Sequence, residues 1–382
     1  MAKVIFKESS YDYKELRNSV FEILSALDNG IISKGTNVLI KPNILAPAFP
    51  EKALTTHPNV LRSVAEYALE KGANVQISDS TAMGSFEKAL DMCGYNEALK
   101  GLPVSFKAFE ESRTVDVDGP FPKIELAADA LDTEVLINLP KLKTHSQMAL
   151  TLAVKNLFGC VVGARKPEWH FRVGENKELF AELLASIYGT LKPSLNLMDG
   201  ILAMEGEGPG TSGRPRELGV LIGSENAMAL DMAVCEMLKM KPYSLMTNHA
   251  GKKLGLAPSC TEMIGCVPSV TDFDIPEPTD LLFGPRIARG FLRKHIASRP
   301  VNVPDICKYC NECVKICPAK AIENRTGSKL NFDYNACIRC YCCVEVCPYA
   351  AMVKHDTLIK KLVRKILVKR RVLDKDPSTC KH

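Results

Sequence analysis

The 382-residue sequence has no run of eighteen uninterrupted apolar residues, so it offers no simple membrane-spanning helix. Its first residues, MAKVIFKESS, lack the apolar core of a secretory leader, and the expectation is a cytoplasmic chain. The usual cofactor signatures are missing as well. No GxGxxG follows the first candidate strand, no GxxxxGK[ST] occurs, and CxxxCxxC is absent, which removes the common dinucleotide, P-loop and radical S-adenosylmethionine patterns. A strong overall charge is also lacking. The net charge is +5, yet Lys354 to His382 alone hold ten Lys/Arg against three Asp/Glu, so residues 1–353 carry a slight negative excess. The basicity describes a tail, and no nucleic-acid-binding body is expected.

What is present is an ordinary globular composition, 46% hydrophobic and 24% charged, in a chain long enough for two or three domains. Short β-rich runs at 4–7, 37–44, 74–80, 135–140, 195–201 and 218–223 alternate with amphipathic runs at 12–28, 58–71, 84–93, 150–162, 176–191 and 227–240. That alternation predicts an α/β domain over 1–270, with a largely parallel sheet and helices on both faces. In THPNVLRSVAEYALEKG, Thr56 or His57 can cap, Pro58 suits the first turn, and Gly72 suits the C-terminal end. The glycine-rich EGEGPGTSGRPRE (205–217) reads as a flexible loop or lid. Its acidic residues would repel a phosphate, and a sharper alternative has Glu205 reaching a reacting group.

Residues 271–300 read as a linker and a basic connecting helix, 301–353 as a cysteine-rich α+β module, and 354–382 as a basic amphipathic tail. Eight of the fifteen cysteines fall into two copies of one pattern, CKYCNECVKICP and CIRCYCCVEVCP, each C-x2-C-x2-C-x3-C-P. Such thiols in a chain without a leader point to metal ligation in a reducing compartment. The pattern resembles bacterial two-cluster ferredoxins, in which the fourth cysteine of each run ligates the other cluster. The resemblance implies two [4Fe-4S] clusters, one on Cys307, Cys310, Cys313 and Cys347, the other on Cys337, Cys340, Cys343 and Cys317. Zinc, the alternative, favours paired CxxC knuckles. Cys342 reads as a small buried residue beside a cluster, with a spare ligand as the sharper alternative.

Candidate site residues gather at strand ends. In LPKLKTHSQMALTLAVKNLFG (139–159), extended backbone would place Lys141, Lys143 and His145 on one face. In the following helix, Thr151 and Lys155 share a face, with Asn156 beside Lys155. Solvated lysines that discourage edge pairing would explain this stretch alone. However, Lys41 and Asn43 in KPNILAP and Asp79 and Ser80 in ISDS close two further strands the same way. Open α/β sheets bind ligands beyond the carboxyl ends of their strands, and several cations there suit an anionic small molecule. KPNILAP, ISDS, the NLPKLKTHSQMALTLAVKNLFGCVVGARK block and LMDGILAMEGEGPG, in this order before the cysteine runs, resemble the bacterial and archaeal family called domain of unknown function 362, over about residues 35–270. The resemblance implies an iron-sulfur protein with redox chemistry and transfers no catalytic residue.

The expectation is therefore an iron-sulfur oxidoreductase. Lys41, Asn43, Asp79, Lys141, Lys155 and Asn156 would bind the substrate, and His145 and Lys143 would act in catalysis. The alternatives are an electron-transfer or metallocofactor-assembly protein that docks a partner enzyme, and a redox sensor. A redox partner protein is expected in each case. Four single residues have bland readings: His57 starts a helix, Asp231 caps or pairs, Cys160 is a small buried hydrophobe, and His170 is a loop histidine packed on Trp169. Over 358–373 an apolar stripe opposes a basic face, a pattern that suits peripheral contact with the inner membrane face or docking on protein.

Overall fold

A computed structural model of the chain describes residues 1–163, 165–276, 297–325 and 327–357. The basic stretch 284–296 and the tail from 358 lie outside the described residues. The α/β domain contains β1 (Ala2–Glu8), β2 (Asn37–Pro42), β3 (Asn74–Ile77), β4 (Val104–Phe106), a hairpin of β5 (Ser112–Asp116) and β6 (Lys123–Ala127), β7 (Val135–Leu139), β8 (Lys141–His145), β9 (Ala149–Thr151), β10 (Leu195–Gly206), β11 (Gly213–Ser224) and β12 (Thr261–Gly265). Among the described residues, ten of these strands form one sheet along the order β12-β1-β11-β10-β7-β2-β3-β4, with β8 pairing β10 and β9 pairing β8. Along that path only β11 runs against its neighbours; every other pairing is parallel.

All five residues of β7 are buried, as a strand covered on both faces requires. One face packs Leu16, Ile23, Leu61 and Val64 of the helices Tyr13–Leu27 and Pro58–Glu70. The other packs Phe180, Leu184, Leu230 and Val234 of the helices Lys177–Leu191 and Ala227–Met237. The helix ends follow their sequence signals. Asp12 accepts from Glu15 N, His57 Nδ1 accepts from Asn59 N ahead of Pro58, and Gly72 (φ 82°) turns the chain out of its helix.

Two local expectations are corrected. Residues 205–217 are no flexible lid, because they complete the long β10–β11 hairpin. Opposite charges pair across it, Glu205 lying 3.3 Å from Arg216 Nη1 and 3.6 Å from Arg214 Nη2, and Arg214 also reaches Asp274, beyond the hairpin, at 2.7 Å. The helix expected over 150–162 begins only at Ala153–Asn156, continues as a 3-10 turn over Leu157–Cys160, and is preceded by β9.

The module holds β13 (Arg299–Asn302), β14 (Ile322–Glu323), β15 (Asn331–Phe332) and β16 (Met352–His355); β13 pairs β16, and β14 pairs β15. Its two halves repeat in backbone as well as sequence. Tyr309, Asn311 and Lys320 have positive φ, and so do Arg339, Tyr341 and Ala350, each thirty residues further on. The β10–β11 hairpin tip carries this module: Thr211 Oγ1 donates to Cys347 O at 2.6 Å, and a Cβ on Gly210 would fall 2.5 Å from Glu345 O. Arg339 Nη1 adds an ion pair to Glu175 at 2.8 Å.

Candidate functional site

The carboxyl ends of β2, β3 and β8 meet the second cysteine run across a cavity of about 290 Å³. At one side Lys41 Nζ lies 2.9 Å from Asp79 Oδ1 and donates to Pro42 O. Asp79 also accepts from Ile44 N and Ser80 N, both at 2.8 Å, so this buried carboxylate is fully satisfied. Gly159 packs directly on the pair, where a Cβ would fall 2.4 Å from Asp79 Oδ1 and 2.5 Å from Lys41 Nζ. Beside it Lys166 donates to Ser80 O, and burial, with Lys41 nearby, pushes its ammonium down to about 8 against the pull of Asp79.

Lys143 Nζ donates to Asn43 Oδ1 at 2.7 Å and to Leu54 O at 2.6 Å. An amide chain fixes this arrangement: Asn43 Nδ2 donates to Asn156, Asn156 to Asn138, and Asn138 to Asn196, over distances of 2.7, 2.7 and 2.9 Å. Burial and then the neighbouring Lys155 push Lys143 down to about 7. Burial also lowers Lys155, whose Nζ lies over the Phe158 and Phe180 rings, while Glu345 and Cys342 pull it back up.

His145 Nδ1 accepts from Gln147 N (3.0 Å) and Met148 N (3.2 Å), which leaves the proton on Nε2. Nε2 stands 3.1 Å from Glu345 Oε1 without the alignment of a hydrogen bond. Burial, with Lys155 nearby, depresses His145 to about 4, so the ring is neutral at pH 7. Burial opposes charge on Glu345 too, but the imidazole, Lys155 and His170 outweigh it and hold the carboxyl low. Four cavity-lining residues keep a buried polar atom with no hydrogen-bond partner: Thr151 Oγ1, His145 Nε2, His170 Nδ1 and Glu345 Oε1. Such atoms are costly unless something else completes them.

The cavity thus unites Lys41, Asn43, Asp79, Lys143, His145, Lys155 and Asn156. It does not include Lys141. That side chain turns into a separate buried pair with Asp199 Oδ2 (2.7 Å) and the Tyr11 hydroxyl (2.9 Å), although it shares a strand with Lys143. His170 is also placed differently from expectation. It sits on the helix Arg165–Val173, against Phe158 and Phe180, while Trp169 packs on Phe121. Asp231 caps, accepting from Ala153 N and Val154 N, and Cys160 is core, its thiol pushed up to about 12 by burial. Glu205 stays on the hairpin, paired with its arginines. Sequence reasoning missed Lys166, Glu345 and the cavity position of Cys342. Glu345 carries no local signal, because its partner is two hundred residues away.

In the module, Cys307, Cys310, Cys313 and Cys347 line one small cavity. Cys317, Cys337, Cys340 and Cys343 form a second group, in which Cys343 feels the other three. Among the described residues no three His, Cys, Asp or Glu side chains are placed to hold a single metal ion. Thiols ringed around a shared space, with the repeated left-handed residues turning the backbone around them, fit a cluster.

Comparison with known proteins agrees with this division. The family model described as Domain of unknown function (DUF362) matches residues 38–236, and that of a 4Fe-4S dicluster domain matches 299–348. The Thylakoid-associated protein sll1697 of Synechocystis sp. is 34% identical over 311 residues, covering 78% of this chain and 96% of the relative. Among solved structures, the lactate racemase apoprotein of Thermoanaerobacterium thermosaccharolyticum aligns at 13% identity and TM-score 0.38, over 62% of this chain and 56% of its own. A crystal structure of a Thermotoga maritima protein aligns at 13% identity and TM-score 0.36, over 56% of each chain. The dicluster match identifies a [4Fe-4S] electron-transfer protein.

Proposed function

This chain belongs to the DUF362 family, and we propose that it is an iron-sulfur oxidoreductase that reduces or oxidises an anionic small molecule held between its α/β domain and its cysteine module. The observation that carries this reading is the shared cavity: lysines from two strand ends and two helices form one wall, and Cys342 and Glu345 of the second cysteine run form the other. Cys307, Cys310, Cys313 and Cys347 would hold one [4Fe-4S] cluster, and Cys337, Cys340, Cys343 and Cys317 another. When bound, such clusters supply one-electron transfer at low potential.

The remaining chemistry belongs to the side chains. Lys155 and Lys166 neutralise the anion, and the amide chain fixes Lys143 in place. His145, a neutral ring with its proton on Nε2, can offer that N–H as a hydrogen bond to the bound molecule. Lys143 spends two N–H groups on Asn43 and Leu54, and with its titration near 7 the third position can give or take a proton. Cationic side chains of this kind are expensive to bury, which favours a ligand-binding role over a structural one. No helix of the described residues is long and apolar enough to cross a membrane. The thylakoid-associated relative supports peripheral membrane contact.

The test is complementation of a deletion strain, read by untargeted metabolite profiling, with wild type, Lys155→Met, His145→Gln and Cys340→Ser. The cavity variants should reproduce the metabolite change of the cysteine variant. Full complementation by both cavity variants, with failure of Cys340→Ser alone, would instead establish an electron carrier that acts through a partner.

A further inference from the structure

The cavity has two cationic poles built from different elements, and we propose that its ligand carries two separated acid groups, one for each pole, as in a short dicarboxylate. This rests on reading the cavity as an anion site. The first pole lies at the ends of β2 and β3, where Lys41 and Lys166 face a single carboxylate, Asp79. The second lies at the end of β8 and the module, where Lys143, Lys155 and His145 line the cavity with Glu345, whose Oε1 stands 3.1 Å from His145 Nε2. With Lys315, the fifth lining lysine, exposed and paired with Glu312, each pole has one more amine than carboxylate.

The poles are finished differently. At the first, Lys41 and Asp79 satisfy one another, and Lys166 has Ser80 O, which leaves Lys166 to meet an acid group without rebuilding the pair. At the second, the unpartnered His145 Nε2 and His170 Nδ1 sit with Lys155, which has aromatic rings rather than a hydrogen-bonded acceptor beside its Nζ. Apolar Ile44, Leu45, Phe158 and Pro167 complete the lining, a surface suited to a short hydrocarbon spacer. A single phosphate would answer one pole and leave the other desolvated and unmatched. The volume, about 290 Å³, is at the small end of ligand pockets and suits a compact molecule.

The experiment is anaerobic calorimetric titration of the full-length, cluster-loaded protein with succinate, glutarate and adipate. Butyrate, valerate, hexanoate and inorganic phosphate serve as comparison, and visible absorption confirms that each variant keeps its clusters. The best dicarboxylate should bind about tenfold or more tightly than the monocarboxylate of equal length, one extra charge-assisted contact being worth at least that. Lys166→Gln and Lys155→Gln should each remove most of this preference, while exposed Lys100→Gln leaves it intact. Equal binding of mono- and dicarboxylates, abolished by Lys155→Gln alone, would overturn the two-pole ligand and leave the anion site standing. Phosphate binding tighter than every dicarboxylate would do the same. Binding of none of these probes would overturn both.

Discussion

Lys143 is where burial and function meet most measurably. Its ammonium has an ordinary pKa of 10.5 and is brought to about 7 by burial and Lys155. A shift of that size corresponds to roughly 5 kcal/mol of differential interaction, at 1.36 kcal/mol per unit. Its sign follows from proton counting: between pH 7 and 10.5 the unfolded chain binds a proton at this lysine that the folded chain does not, so stability rises with pH through that window. The penalty is fully present below pH 7 and disappears above 10.5. Lys143→Met removes the titration but strips a donor from Asn43 Oδ1 and from Leu54 O, costing about 1–3 kcal/mol for each unsatisfied acceptor. Near pH 6.5 the gain and loss should almost cancel. From pH 7.5 to 9.5 the wild type should gain on the variant by about 1.4 kcal/mol per pH unit. Anaerobic urea unfolding of both proteins at four pH values, followed by far-ultraviolet circular dichroism, measures this difference. Parallel pH curves would show that Lys143 keeps an ordinary ammonium, and its part in proton transfer would fall with that result.

Gly159→Ala should destabilise by about 2–4 kcal/mol, since the new Cβ must displace Lys41 or Asp79 and disrupt a buried ion pair, and anion affinity measured by titration should fall with it. Lys141→Met should cost a comparable 3–5 kcal/mol by stranding Asp199, yet leave anion affinity unchanged, which separates the buried pair from the cavity next to it. Asp231 is pushed up to about 7 by burial against the help of two backbone donors, so its folded form takes up a proton earlier than its unfolded form as pH falls. Its contribution should therefore weaken stability as pH rises from about 4 to 7, and Asp231→Asn should flatten the unfolding profile in that window. Removing the clusters with a chelator should raise hydrogen exchange in the module turns around Tyr309 and Tyr341, whose left-handed backbone is unfavourable for non-glycine residues, and at the hairpin tip resting on Cys347.

Legibility in the sequence tracked how local the physics was. The β2 and β3 ends, the cap at His57, and the strand β7 are set by residues within a few positions of one another, and periodicity and capping signals exposed them. The β10–β11 hairpin was missed because its pairing depends on cross-strand charges, with Arg214 and Arg216 opposite residues nine and thirteen positions back, while its composition resembles a loop. Lys141 and Lys143 differ by two positions in one strand and look equivalent in sequence. What separates them is Asp199, contributed by a neighbouring strand far along the chain.

The cavity was half legible for the same reason. Its cationic wall was recognisable because three strand ends each carried a polar group where a strand would ordinarily fade into a turn. Its other wall could not be read, because Cys342 and Glu345 sit inside a cysteine run whose spacing is fully explained by ligation. Only the docking of the module on the hairpin tip, through Thr211 and the close approach of Gly210 to Glu345, gives those residues a second role. The module thereby supplies the carboxylate that faces His145 and Lys155, without which the second pole would hold two buried amines and no counter-charge. The cysteine module and the cavity are therefore one construction, because the charge balance of the cavity is completed by the second cysteine run.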